Sequence, residues 1–84
     1  MIIKVTFKSH IRTYELLVLG SKDIDNPFTA ATEDAVAFLK KHIRNWEGYS
    51  YSSQEVLSPD ALTGLNVSQT ECLITHKVCL LDNK

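Results

Sequence analysis

The sequence predicts a small α+β domain: an antiparallel sheet of about four strands, in the order β-β-α-β-β along the chain, with one amphipathic helix packed on one face. Three patterns point to it. Residues 1–8 alternate apolar and polar side chains, residues 32–47 carry an apolar stripe at helical spacing, and residues 70–81 are apolar on both alternating faces. The chain has 84 residues, room for one core and one domain.

Met1, Ile3, Val5 and Phe7 fall on one side of the first segment, and Lys4, Thr6 and Lys8 on the other. Period two marks a half-buried strand. After a turn near Ser9-His10, Ile11 to Leu19 again favours strand, so residues 1–19 are predicted to form a β-hairpin. A loop follows over residues 20–31, where Gly20, the Asx residues and Pro27 interrupt the pattern.

The helix is predicted over residues 32–47. Thr32 is a good N-cap, Glu33 and Asp34 suit the positive end of the helix dipole, and Lys40, Lys41 and Arg44 suit the negative end. Ala35, Phe38, Leu39, His42 and Trp46 share one face, and Gly48 supplies a stop. Residues 49–64 are expected to hold an extended segment, serine-rich from Tyr49 to Leu57, and a short helical turn opened by Ser58-Pro59. Residues 70–81 are predicted as one C-terminal strand, central in the sheet because both its faces are apolar.

Nine basic and ten acidic side chains leave a net charge of −1, which gives no long-range steering toward nucleic acid or anionic lipid. No apolar run approaches the length of a membrane span, and the alternating first residues lack the continuous apolar core of a signal peptide. Two cysteines are too few for a disulfide framework, so a cytoplasmic protein is expected.

No cofactor or metal is expected. Cys72, His76 and Cys79 invite a zinc reading. Along one continuous strand, however, Cys72 and His76 would sit about 13 Å apart and Cys79 would face the other way. A serine or cysteine nucleophile would need a nearby histidine, but His10, His42 and His76 sit in no known local signature, and the three glycines are isolated. An enzyme is therefore not expected.

Two surfaces are candidates for binding. Tyr49 and Tyr51, in a Tyr- and Ser-rich stretch, and Lys4 and Lys8, on the sheet face away from the helix, are the candidate contacts for a partner protein. Lys40, Lys41 and Arg44 form a basic helix face that would serve if the partner were nucleic acid, with Trp46, Tyr49 and Tyr51 as stacking platforms. A homodimer is a third expectation, since one helix covers one sheet face and Leu73, Cys79 and Leu81, or their opposite-face counterparts, would need cover on the other. The competing expectation is a monomer in which residues 49–68 fold back over that face.

The format, an 84-residue chain with a β-hairpin, one capped helix from Thr32 and a closing strand pair, resembles many small phage and plasmid proteins, anti-CRISPR inhibitors among them. What the resemblance implies is a non-enzymatic inhibitor that binds a partner protein stoichiometrically; it assigns no residue a role.

Overall fold

The structure is a computed structural model that describes residues 2–20, 26–62, 64–72 and 76–81. Five strands and one helix follow in order: β1 (Ile2–Lys8), β2 (Thr13–Gly20), α1 (Pro27–His42), β3 (Ser50–Leu57), β4 (Val67–Cys72) and β5 (His76–Leu81). The strands form a single antiparallel sheet in the spatial order β3-β1-β2-β5-β4. The α+β class therefore holds, with five strands where about four were expected.

The additional strand comes from the C-terminal segment. Residues 70–81 are not one strand, because β4 and β5 pair antiparallel with Thr70 opposite Cys79 and Cys72 opposite Lys77. No local signal divides the segment, since Leu73-Ile74-Thr75 includes none of the residue types that announce a turn. Ser68 and Gln69 lie within β4, where the register shifts between Val67 and Gln69. The central placement holds for residues 76–81: β5 lies between β2 and β4. Leu73, offered above as part of an uncovered face, lies outside the described residues, as do most of the polar residues of the 20–31 loop.

Helix α1 begins five residues before Thr32. Asn26 is its N-cap, the side-chain Oδ1 accepting from the Thr29 N–H at 3.2 Å, and Pro27 takes the first helical position, where its missing N–H costs nothing. Thr32 lies inside the helix, donating its hydroxyl back to the Phe28 carbonyl at 3.1 Å and accepting from Gln54 of β3. At the other end Ile43 turns extended, its N–H still donating to the Leu39 carbonyl at 2.8 Å. The helix therefore stops at His42, and Trp46 opens a separate 3₁₀ turn, Trp46–Gly48. The buried stripe is Ala31, Ala35, Phe38 and Leu39.

That stripe lies on Ile3, Val5 and Phe7 of β1, Leu16 and Val18 of β2, and Val78 and Leu80 of β5. The opposite face carries a second, smaller core of Leu17, Cys79 and Leu81, edged by Ile2, Leu19 and Leu57. These three side chains are no more than 6% exposed within a single chain, so their burial needs no second copy. Thr6, expected to be open on that face, is buried with them. β3 and β4 are the two edge strands, joined in sequence by residues 58–66.

Each edge strand carries one bulge, β3 at Ser52 opposite the Thr6–Phe7 step and β4 at Ser68. Bulges twist an edge away from further pairing. Among the described residues no helix is long and apolar enough to cross a membrane.

Candidate functional site

At the end of the sheet where β1 turns into β2, residues 9–12 make a tight turn held by hydrogen bonds to Ser9. The Ser9 N–H donates to the Arg12 carbonyl at 2.9 Å, and Ser9 Oγ accepts from the N–H groups of Ile11 and Arg12 at 3.3 and 3.2 Å. A serine hydroxyl that bonds the backbone two and three residues on is a standard way to hold a turn. The turn holds Ile11 out to solvent: it is 90% exposed, although sequence alternation would put it in the second strand, which begins at Thr13.

Next to this turn stands the connection from α1 to β3. The 3₁₀ turn is closed by the Gly48 N–H on the Asn45 carbonyl and the Tyr49 N–H on the Trp46 carbonyl. It sets Tyr49 against Tyr14 of β2, ring centroids 4.8 Å apart. Arg12 lies on the same pair, its guanidinium donating to the Tyr14 hydroxyl at 3.1 Å with its carbon 5.9 Å from the ring centre. That hydrogen bond, aided by the nearby phenol groups of Tyr14 and Tyr49, raises the Arg12 pKa above its ordinary value, so the side chain is a permanent cation. His42, at the end of α1, lies 4.4 Å from the ring of Phe38.

Two adjoining depressions occupy this end of the molecule. One, of about 290 Å³, is bounded by the turn residues Ser9, His10 and Ile11 and by Asn45, Gly48 and Tyr49. The other, of about 360 Å³, adds Arg12, Tyr14, His42 and Arg44 to the shared Ile11, Asn45 and Tyr49. Among the described residues no acidic side chain lines either one. The cleft thus joins an exposed aliphatic tip, two phenol rings in tilted contact and two guanidinium groups, side-chain chemistry suited to binding. Ser9 Oγ, the hydroxyl closest to His10 in sequence, is engaged with turn backbone at three points, its own donation to the Arg12 carbonyl at 3.3 Å included.

The residues singled out from the sequence are not brought together. Tyr49 is in the cleft. Tyr51 is 52% exposed on β3 and meets the ring of Phe7 edge-on at 6.2 Å, on the helix side of the sheet. Lys4 is on the far side, its ammonium 3.0 Å from Glu15 and 3.4 Å from Glu55, and Lys8 is exposed at the end of β1 opposite Thr13 and Ser50. The sheet therefore separates the two tyrosines from the two lysines. The basic helix face also divides. Lys40 and Lys41 are exposed in the last turn of α1, with the Lys40 ammonium 5.0 Å above the Trp46 ring. Arg44 lies beyond the helix end and lines the cleft.

The distance argument made for Cys72, His76 and Cys79 also changes, because Cys72 and Cys79 stand on neighbouring strands rather than along one. Cys79 is a buried free thiol, with Thr70 Oγ1 3.6 Å from its sulfur. Among the described residues no three His, Cys, Asp or Glu side chains gather closely enough to hold a metal ion.

Sequence reasoning missed Ile11, Arg12 and Tyr14. The available signal was an isoleucine next to Ser-His, in a segment that had to turn. Comparison of the chain with protein-family models, curated proteins and solved structures finds no match.

Proposed function

We propose that this chain is a non-catalytic protein-interaction module that works by stoichiometric binding, and that the Ser9–Arg12 turn and the 44–49 connection form its contact surface. The observation that carries the reading is Ile11, 90% exposed on a turn whose backbone is held by Ser9. An ordered aliphatic tip beside tyrosine and arginine has the composition and rigidity of an interface anchor. The specific form proposed is an inhibitor of the kind small phage and plasmid proteins supply, acting in the cytoplasm by covering a partner's surface. Burial of Leu17, Cys79 and Leu81 inside one chain favours a different protein as partner over a second copy.

The test is co-purification of the tagged chain from its native cell, comparing wild type with Ile11→Asp. A partner retained by wild type and lost with Ile11→Asp supports the reading, and equal retention by both removes this surface from it. Light scattering separates the homodimer, since a monomer has a mass of 9.5 kDa.

Nucleic-acid binding through Lys40, Lys41 and Arg44 is the competing reading. The rings that would stack on bases are already engaged: Trp46 under Lys40, Tyr49 on Tyr14 and Tyr51 on Phe7. The absence of a gel shift with oligonucleotide at low salt would dispose of it.

A further inference from the structure

Lys4 and Arg12 are treated differently by this fold. Lys4 is held between two carboxylates on one sheet face. Among the described residues, the depression that Arg12 and Arg44 line contains no acidic side chain, and neither arginine has a carboxylate within ion-pair distance. We propose that this depression receives an acidic segment of the partner protein, carboxylate side chains lying against Arg12 and Arg44 and a neighbouring apolar side chain against Ile11 and Tyr49. The inference rests on the protein-binding reading above and names the chemistry of the partner's docking segment.

Arg12 is prepared for this role. One N–H group donates to the Tyr14 hydroxyl at 3.1 Å, with the guanidinium carbon 5.9 Å from the centre of that ring, which leaves further donors of a rigid fork to meet a carboxylate. Fixing the side chain before binding lowers the entropy lost on binding. Ile11 and Tyr49 border both depressions, so a charged and an apolar side chain from one segment can be held next to each other. The same geometry disfavours a nucleic-acid strand. A phosphate could meet the two arginines, but the Tyr14 and Tyr49 rings lie against each other, centroids 4.8 Å apart and planes tilted by 44°, so one face of each is turned toward the other ring rather than offered to a base.

The experiment uses the full chain, labelled with ¹⁵N and followed by NMR. It is titrated with a short acetylated peptide alternating Glu and Leu, with the matching Lys and Leu peptide, and with a short single-stranded oligonucleotide. The acidic peptide is expected to move the amide signals of Ile11, Arg12, Asn45 and Tyr49, and the basic peptide to leave them in place. Arg12→Glu with Arg44→Glu should weaken acidic-peptide binding roughly tenfold, the loss of two exposed charge pairs. Lys40→Glu with Lys41→Glu should leave it unchanged. If the double arginine variant does not keep a dispersed native spectrum, Arg44→Glu alone, exposed beyond the helix end, carries the comparison. The inference is overturned if the acidic peptide leaves these amides unmoved, if the arginine variants bind it as wild type does, or if the oligonucleotide binds the same residues more tightly. A peptide that fails while Ile11→Asp still releases the cellular partner would remove the acidic segment and leave the protein-binding reading standing.

Discussion

Truncating Phe38 to alanine tests how α1 is fastened to the sheet. Phe38 is 2% exposed and belongs to the cluster that joins Ala31, Ala35 and Leu39 of the helix to β1, β2 and β5. Removing a buried phenyl ring loses its transfer free energy and leaves a cavity, together about 3–5 kcal/mol. At roughly 0.05–0.15 kcal/mol per residue, a domain of 84 residues has about 4–13 kcal/mol in total, so this one change removes a large share. An unfolding entropy of about 2.1 cal/mol/K per residue gives roughly 0.18 kcal/mol/K for the chain, and a loss of 4 kcal/mol then lowers Tm by about 20 °C. Thermal unfolding followed by circular dichroism measures this directly. Phe28, on the same helix but 46% exposed, is the control, and its truncation should cost about 1 kcal/mol or less. Equal melting temperatures for wild type and a folded Phe38→Ala variant would refute the packing argument, and so would equal losses at the two positions.

Other perturbations separate the remaining features. Asn26→Ala removes the N-cap bond to Thr29 and should cost about 1 kcal/mol in urea unfolding; an unchanged midpoint would place the start of the helix elsewhere. Gly64 has φ of +87° with nothing within 4 Å of a built Cβ, so Gly64→Ala should lose about 1–2 kcal/mol from backbone conformation alone, whereas Gly48→Ala, in equally open space, should lose much less. The hydrogen bond to Glu15, with Glu55 adding to it and partial burial opposing, raises the Lys4 pKa above 10.5. The stability it contributes is therefore complete below that pH and is lost as pH rises through the folded-state value. Lys4→Met should cost about 1 kcal/mol or less at neutral pH, and its stability should fall less steeply than wild type between about pH 10 and 12.

How far each element could be read from the sequence depended on whether a local pattern matched the force that decides its structure. The alternation over Ile2–Lys8 and the apolar stripe through Ala35, Phe38 and Leu39 are set by burial, and the structure buries those residues. The helix ends were misplaced because two good caps compete. Thr32 followed by Glu33 and Asp34 looks like a start, but Asn26-Pro27 satisfies the first turn sooner and places Ala31 on the core as well. Splitting 70–81 into two strands turned on pairing with β2, a contact that no window of local sequence contains. The cleft was hidden for the same reason. Ile11 and Tyr49 are 38 positions apart and meet only because β1 lies between β2 and β3.

The ladder between β2 and β5 has a consequence for how the molecule is made. Leu16 pairs with Leu80 and Gly20 with His76, contacts separated by 64 and 56 positions. Closing so long a loop is slow. During synthesis β1, β2, α1 and β3 all emerge before the strand that completes the sheet's centre. Until β5 arrives, the row Leu16, Leu17, Val18 and Leu19 is an open apolar edge, of the kind that pairs with the wrong chain. Fragments that end before His76 should therefore collect as aggregates rather than as a smaller folded domain.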